Sequence, residues 1–321
     1  MFLIKKNMIN KLETSNKFTP TRETISLILE DYGIKVFKFT LITTGIANTT
    51  IVISARRKKY ILRVYAQHRK KNTEILFEIN FQNYLRINGT PVPEVYLNKN
   101  GKYVTRLKTG KLYWQSLLMD FVPGTNNTKH TPRLIKDLAI IQARMHILGT
   151  RFKSKIKRKE KSWKKLEDYY AVYVKNYSKC SIQEKEFIFR AKKFAYEINV
   201  KLPFGYNHLD LDLDGNVIVE NNRIRGVVDF DDLSYSPVVV CFGYSLWNVL
   251  HDEGIIGMNL YRKHYEAVRP LGKNEVSVLP HVILFRNYEI GALRFYKTGD
   301  PSCLARPLEI EREVKRMINK L

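Results

Sequence analysis

The chain has 321 residues, 44% of them hydrophobic and 27% charged, so it is long and apolar enough to bury a sizeable core. Lys and Arg number 55 against 31 Asp and Glu, and the formal net charge of +24 favours anionic partners such as nucleic acid, anionic membrane surfaces or phosphorylated metabolites. The same charge disfavours a polycationic substrate, because long-range repulsion slows its arrival.

The cysteines and the N-terminal sequence indicate the cellular compartment in which the protein is expected. Cys180, Cys241 and Cys303 are an odd number, lie far apart and form no CxxC pair, so they predict neither a disulfide framework nor a four-cysteine zinc site. The N-terminus lacks the long apolar stretch of a signal peptide, and the apolar run near 238–244 is far short of the ~20 residues that span a bilayer. We expect a soluble cytoplasmic protein without a membrane span.

The first part of the chain is rich in strand-like segments. Residues 1–24 are interpreted as a leader, although the pattern within it begins a predicted helix over 19–33. Three strand-like segments and one amphipathic helix follow, at 37–42, 49–54, 59–65 and 73–87. Short strands then lead to 117–124, where Pro123 and Gly124 end the last of them.

Helical patterns dominate the rest of the chain. Predicted helices cover 133–149, 163–177, 182–200 and 309–321. One hairpin over 217–230, with Asn221–Asn222 as its turn, interrupts them. The sequence therefore predicts an α+β fold, with a β-rich lobe containing one helix over 25–122 and a mostly helical lobe over 123–321.

The most informative segment is NHLDLDLDGNVIVENNRIRGVVDFDD, residues 207–232. It contains a His-x-Asp pair, His208 and Asp210, then Asn216, then the hairpin, and finally Asp229. This ordered set resembles the catalytic core of the aminoglycoside phosphotransferase and choline kinase superfamily. The family has a His-x-Asp loop, an Asn five residues after that Asp, and an Asp in the second hairpin arm.

The resemblance extends over roughly residues 30–300. The segments 43–50, 60–65, 117–124 and 138–146 resemble the family's nucleotide loop, third strand, hinge and following helix. The resemblance implies a bilobal protein-kinase-like fold, with a nucleotide-binding N-lobe over 25–122. It also implies a C-lobe over 123–321 that holds the catalytic loop and the acceptor site.

The resemblance also implies roles for individual residues. Asp210 accepts the proton of the acceptor hydroxyl, while Asn216 and Asp229 offer the hard oxygen ligands that Mg²⁺ prefers. Arg63 stands where the family usually has Lys, so it is expected to contact the ATP phosphates and to be held by Glu78. The catalytic candidates are Asp210, His208 and Asp212, and the nucleotide-binding candidates are Gly45, Asn48, Arg63, Glu78, Met119, Asp120 and Phe121.

Two departures from the family pattern leave an alternative open. Asn216 lies six residues after Asp210 instead of five, so either the loop bulges or Asp212 takes one of the roles. Val240 or Cys241 occupies the position where the family usually has an acid that braces the catalytic loop. A nucleotide-binding pseudokinase, acting as an interaction module, is therefore the alternative function.

Other interpretations apply to parts of the motif. Asp210, Asp212 and Asp214 match the start of a calcium loop, but Asn221 stands at its twelfth position and the flanks are strand-like. A plain acidic turn without a ligand is a further alternative. His208 is interpreted as a structural residue that supports the catalytic loop rather than as a base.

Residues 151–165 hold nine Lys and Arg against one Glu. This basic run is a solvated helix face, a patch for polyanions or a funnel for an anionic substrate. Taken together, the sequence predicts a kinase that uses ATP and Mg²⁺ to phosphorylate the hydroxyl of a small, non-polycationic metabolite. The alternative is the pseudokinase, or an interaction module whose basic surface binds polyanions.

Overall fold

A computed structural model describes residues 17–42, 48–67, 69–126, 129–157, 181–198, 200–298, 300 and 302–318. These residues form two compact units. The first unit runs to residue 123 and includes 153–157, and the second contains 124–152 and the described residues from 181 onward. Gly45, most of the predicted leader and most of the basic run at 151–165 lie outside the described residues.

The first unit is a β-sheet with two helices. Its strands are β1 (Lys38–Ile42), β2 (Thr49–Ala55), β3 (Lys58–Val64), β4 (Thr105–Thr109) and β5 (Leu112–Asp120), in the order β1-β2-β3-β5-β4. All neighbouring strands are antiparallel. The helices are α1 (Arg22–Glu30) and α2 (Asn72–Ile87), so the two helices predicted before residue 90 are confirmed.

Alternation along the strands places this unit's core. In β2 every second residue is buried, and Ile51 and Ile53 pack with Leu62 of β3 on one face of the sheet. The apolar stripe of α1, including Ile25 and Ile28, belongs to the same cluster. Thr21 caps α1 by accepting a hydrogen bond from the Thr24 amide, which explains why the helix begins later than the sequence predicted.

The second unit is mostly helical. Its helices are α3 (Pro132–Arg151), α4 (Ile182–Glu197), α5 (Val238–Glu266), α6 (Lys273–Thr298) and α7 (Ser302–Ile318), with a short 3₁₀ helix at Phe230–Asp232. Its strands are β6 (Phe204–Asn207), β7 (Val217–Glu220), β8 (Arg223–Val227) and β9 (Ser234–Pro237). β6 pairs with β9 and β7 pairs with β8.

Two sequence features of this unit have clear structural outcomes. The predicted hairpin turn is confirmed, because Asn221 and Asn222 both adopt positive φ angles, 51° and 56°, between β7 and β8. The apolar run near 238–244 forms the buried first turns of α5, a core helix. Within the described residues, no helix is both long and apolar enough to cross a membrane.

Two glycines allow α3 to contact β6 directly. A Cβ atom on Gly149 would lie 2.2 Å from the carbonyl oxygen of Tyr206, and one on Gly205 would lie 2.9 Å from the amide of Thr150. Backbone atoms cannot rotate away as a side chain can, so neither position has room for a methyl group. This contact fixes the strand that leads into residue 208.

Replacing Gly149 with Ala is expected to lower the free energy of unfolding by about 1–3 kcal/mol, the usual cost of overpacking. Helix propensity alone predicts the opposite change, because Ala normally stabilises a helix relative to Gly. Urea denaturation measures the change. Gly272→Ala is the matched control, because its Cβ would find its nearest neighbour at 3.7 Å. Equal effects of the two substitutions would contradict the steric explanation.

Candidate active site

His208 anchors the loop that follows β6. Its Nε2–H donates to the carbonyl oxygen of Val228 at 2.9 Å, and its Nδ1 accepts from the Asp210 amide at 3.3 Å. These two bonds assign the neutral tautomer. The ring is buried and packs edge-on against Phe230, with the ring centroids 4.7 Å apart. Because both nitrogens serve the protein backbone, His208 positions the loop.

Asp210 is held at the surface of this loop by an unusual backbone conformation. The preceding residue, Leu209, is buried but has a φ of 63°, which β-carbon sterics disfavour and which is typical of functional loops. The Asp210 side chain is 48% exposed. A carboxylate presented in this way is accessible to a ligand hydroxyl.

A turn absorbs the extra residue between Asp210 and Asn216. The carbonyl oxygen of Asp212 accepts hydrogen bonds from the amides of Gly215 and Asn216, at 3.4 and 3.1 Å. The Asn216 side chain then reaches back, and its Nδ2 donates to the backbone oxygen of Asp210 at 2.8 Å and to the Asp210 carboxylate at 3.1 Å. The longer spacing therefore still brings the two side chains together.

The hairpin brings Asp229 to the same end as Asn216. The amide of Val228 donates to the Asn216 carbonyl oxygen at 2.9 Å, and Asp229 is the next residue. Asp229 has φ 62° and ψ 70°, and its Oδ1 accepts from the Asp231 amide at 3.4 Å. An amide oxygen and a carboxylate at one hairpin end form a donor set suited to a hard divalent cation.

Uncharged groups support the loop that carries Asp210. The Ser245 hydroxyl of α5 donates to the Leu211 carbonyl oxygen at 3.1 Å and accepts from Gln142 of α3 at 2.7 Å. The Tyr261 hydroxyl donates to Gln142 Oε1 at 2.9 Å. Burial raises the pKa of the neighbouring Cys241 thiol to about 12, so it stays neutral. This buried network lies beside the position where the family's bracing acid is missing.

The structure adds Arg286, which the sequence did not single out. Its side chain is 11% exposed and its guanidinium lies 4.4 Å from the ring centroid of Tyr244. Nη1 donates to Glu289 at 2.7 Å, and Nη2 lies 3.5 Å from Oδ1 of Asp210. Arg286 is 76 residues from Asp210 along the chain. Its only sequence signal is that Arg286 and Glu289 stand as a charged pair within the mainly apolar stretch 276–293 of α6.

Carboxylates gather around this loop. Burial, followed by repulsion from Asp252, Asp214 and Asp210, raises the pKa of Asp212 to about 6. His130, whose side chain is 6% exposed, bonds Asp214 at 2.7 Å. Ligand atoms of His130, Asp214 and Asp252 lie within 4.8 Å of one another, which makes them an alternative group for a cation. The neighbourhood of Asp210 is thus acidic, although the chain is strongly basic.

The fold contradicts the interpretation of residues 210–221 as a calcium loop. Its twelfth position, Asn221, lies in the hairpin turn between β7 and β8. A calcium loop needs a bidentate acid there and helices on both sides. β7 begins at Val217, so one flank is a strand.

In the first unit, Glu78 forms a salt bridge with Lys70, a residue that the sequence pattern did not predict for this role. The Nζ of Lys70 donates to both carboxylate oxygens of Glu78, at 2.6 and 2.7 Å, and the two side chains are only 2% and 3% exposed. Arg63, the predicted partner, lies with its Cζ 5.5 Å from the ring centroid of Tyr65, and Lys70 lies 5.8 Å from the same centroid. The positively charged groups of Arg63 and Lys70 therefore both lie near the ring of Tyr65, just after β3.

The remaining candidates of this unit have defined places. Asn48 is buried, and its side-chain oxygen accepts from the Ala66 amide at 3.3 Å. Met119 lies in β5 opposite Ile61, and the Asp120 carboxylate pairs with Lys58 at 3.1 Å and accepts a hydrogen bond from the Tyr96 hydroxyl. The Phe121 ring lies 5.3 Å from Lys59 Nζ.

Residues 38–271, well over half of the chain, match a family model described as "Phosphotransferase enzyme family". Homoserine kinase of Bartonella henselae is 24% identical over 87% of this chain and 82% of its own length. Homoserine kinase of Gluconobacter oxydans is also 24% identical, over 80% of this chain and 82% of its own length.

Solved structures share the fold. A microcompartment-associated aminopropanol kinase aligns with a TM-score of 0.74 and 19% identity, covering 92% of this chain and 95% of that one. Amicoumacin kinase hAmiN, solved with AMP-PNP, Ca²⁺ and Ami, gives 0.68 and 20%, covering 98% and 93%. The predicted protein-kinase-like α+β fold is confirmed, as is the reaction class, ATP-dependent phosphoryl transfer to a hydroxyl of a small molecule. The chain belongs to the phosphotransferase enzyme family.

Proposed function

We propose that this chain is an active kinase that uses ATP and Mg²⁺ to phosphorylate a small amino alcohol or hydroxy amino acid. The observation that carries this proposal is the contact between Asn216 and Asp210, which persists despite the extra residue between them. A pseudokinase has no need to keep an exposed carboxylate beside a metal-type donor set. The neutral brace around Ser245 further supports activity, because it holds the loop without the family's acid.

The proposed chemistry moves one phosphoryl group and one proton. The acceptor oxygen forms a bond to the γ-phosphorus of ATP, the bond to the ADP oxygen breaks, and the hydroxyl proton passes to the Asp210 carboxylate and then to solvent. The side-chain oxygens of Asn216 and Asp229 would hold Mg²⁺, which when bound neutralises charge on the phosphates. Arg286 keeps the Asp210 carboxylate oriented.

The first unit supplies the candidates for nucleotide binding. Arg63 and Lys70 offer positive charge for phosphates, and Glu78 fixes Lys70. Backbone amides near Gly45 and Asn48 are the further phosphate contacts that we propose. We assign adenine to the backbone of residues 119–121.

Two observations support the acceptor class. Homoserine and aminopropanol, after which these related kinases are named, each carry one ammonium group and one hydroxyl. The acids near Asp210 suit one ammonium group, whereas the net charge of +24 opposes the approach of a polycationic aminoglycoside. Binding of polyanions by the basic run at 151–165 would be a separate property, revealed by steep salt dependence.

Asp210→Asn is expected to lower kcat by about 10²–10⁴, the usual loss for a positioned base, and to leave the KM for ATP within about twofold. ADP release in the presence of L-homoserine or 3-aminopropan-1-ol measures both. Asp137→Asn, which removes a surface carboxylate of α3, is the matched control. Normal turnover by Asp210→Asn would refute the assignment of Asp210 as the base. Asp212→Asn would then be tested in the same way.

Asp229→Ala is expected to abolish the Mg²⁺ dependence of ATP binding, because the variant loses the only charged member of the proposed donor pair. Calorimetric titration of ATP with and without Mg²⁺ measures this dependence. Asp214→Asn is the comparison, since it disrupts the alternative cluster of His130, Asp214 and Asp252. If Asp214→Asn removes the dependence and Asp229→Ala keeps it, the metal belongs to that cluster.

A further inference from the structure

Three side chains of types that bind metals meet in the second unit: His130, Asp214 and Asp252. One ligand atom of each lies within 4.8 Å of the corresponding atoms of the other two. They come from three places in the chain, namely the residue before the N-cap of α3, the turn before β7, and α5. Because all three places belong to the same compact unit, the packing of that unit brings the cluster together.

His130 is buried in this cluster, and its two ring nitrogens face different carboxylates. Its side chain is 6% exposed, Nε2 lies 2.7 Å from Oδ1 of Asp214, and Nδ1 lies 3.3 Å from Oε1 of Glu253. Among the described residues, Nδ1 nevertheless has no hydrogen-bond partner. A neutral imidazole carries one proton, so it donates to only one acid, and its other nitrogen presents a lone pair to a carboxylate. A metal ion on that nitrogen removes the repulsion, because it attracts both the lone pair and the acid.

Backbone contacts hold two of the contributing segments together. Thr125 and Val219 exchange two backbone hydrogen bonds, at 2.9 and 2.8 Å, so the segment that leads to α3 meets the hairpin. The Asn126 side chain donates to the Gly215 carbonyl oxygen at 3.1 Å, which connects the same segment to the turn that carries Asp214. The ligands from these segments are therefore placed by contacts other than their own attraction.

The third segment adds two acids where α5 is kinked. Asp252 and Glu253 directly precede Gly254, whose φ of 65° and ψ of −163° are not helical. Within the part of the chain that the structure describes, neither these acids nor Asp214 form an ion pair with Lys or Arg, and their charged partners are histidines. In a chain with 55 Lys and Arg, this is a local excess of negative charge, which attracts a cation.

The donor set indicates which cation the cluster suits. Zn²⁺ accepts both imidazole nitrogen and carboxylate oxygen, and two ligands that it binds at ~2.0–2.2 Å lie at most ~4.4 Å apart. Rotation of the half-exposed Asp214 side chain is enough to bring the group within that limit. Mg²⁺ prefers oxygen ligands and retains its waters, whereas imidazole suits first-row transition ions. The cluster thus differs in chemistry from Asn216 and Asp229, which offer oxygen alone.

We propose that His130, Asp214 and Asp252 form a second cation site, which binds Zn²⁺ or a similar transition-metal ion independently of the Mg²⁺ that accompanies ATP. Nε2 of His130 binds the ion, and Nδ1–H is then available to donate to Glu253, as carboxylates commonly orient metal-binding imidazoles. The ion connects α3, α5 and the turn before β7, so it stabilises the second unit. This inference goes beyond the proposed function and does not depend on it.

The test measures Zn²⁺ binding by calorimetry, with the purified full chain stripped of metal by a chelator and without ATP. We expect the wild type to bind one Zn²⁺ much more tightly than Mg²⁺. Saturating Zn²⁺ is expected to raise the Tm by a few degrees, because the ion binds the folded state and not the unfolded chain. Thermal melting without metal verifies that each variant is folded.

His130→Gln and Asp214→Asn each remove a ligand, so each is expected to raise the Kd of Zn²⁺ at least about 100-fold and to abolish the rise in Tm. Glu253→Gln keeps the ligands but weakens the orientation of the imidazole, so we expect a rise of about 10- to 100-fold. His264→Gln, a histidine of α5 outside the cluster, is the matched control. His264→Gln and Asp229→Ala should both keep the Kd of Zn²⁺ within about twofold of the wild type.

Each contrary outcome has a definite meaning. Unchanged Zn²⁺ affinity in both His130→Gln and Asp214→Asn would overturn the proposal. Loss of Zn²⁺ binding in Asp229→Ala, with binding kept in His130→Gln, would overturn it too and assign the ion to Asn216 and Asp229. A folded wild type that binds no Zn²⁺ would show instead that His130 is an imidazolium donating to both acids. Phosphoryl transfer does not enter these measurements, so none of these results tests the proposed kinase function.

Discussion

The candidate active site depends on the two hydrogen bonds that the imidazole of His208 makes to the backbone. The ring donates to the carbonyl group of Val228 and accepts from the amide of Asp210, so it connects the Asp210 loop to the hairpin. The amide of the same Val228 binds Asn216, and Asp229 follows it in sequence. His208 and Val228 therefore set the positions of Asp210, Asn216 and Asp229. A charged imidazolium could not accept the second bond, so the geometry requires the neutral form.

The second support of the loop is buried and uncharged. Gln142, Ser245 and Tyr261 connect α3 and α5 to the Leu211 carbonyl group. Burying a carboxylate there would add desolvation cost beside a loop that already holds several acids, one of which has a raised pKa. Neutral hydrogen bonds give the same positional constraint without that repulsion. The missing acid is thus compatible with an ordered loop.

Local patterns predicted much of this structure, and long-range packing accounts for the rest. The Asn221–Asn222 turn, the amphipathic helix α3 and the order of the motif residues depend on neighbours in sequence, so periodicity and turn chemistry reveal them. Arg286 was missed because its contact with Asp210 joins segments that are 76 residues apart. Lys70 is only eight residues from Glu78, and it was missed because the family resemblance assigned the cation to the third strand, at Arg63. The acids near the site come mostly from one sequence segment, in which Asp210, Asp212 and Asp214 alternate, and folding adds Asp252 from α5.

The two cysteines that the structure describes differ as nucleophiles. Cys241 is buried beside the Asp210 loop, and burial raises the pKa of its thiol to about 12, so almost no thiolate forms at neutral pH. Cys303 is only half-buried and lies on the wall of a cavity among α5, α6 and α7. An electrophile entering that cavity would therefore meet a thiol at the wall, while the loop support stays chemically inert. The packing of these helices thus separates a thiol that a reagent in the cavity can meet from a buried thiol beside the Asp210 loop.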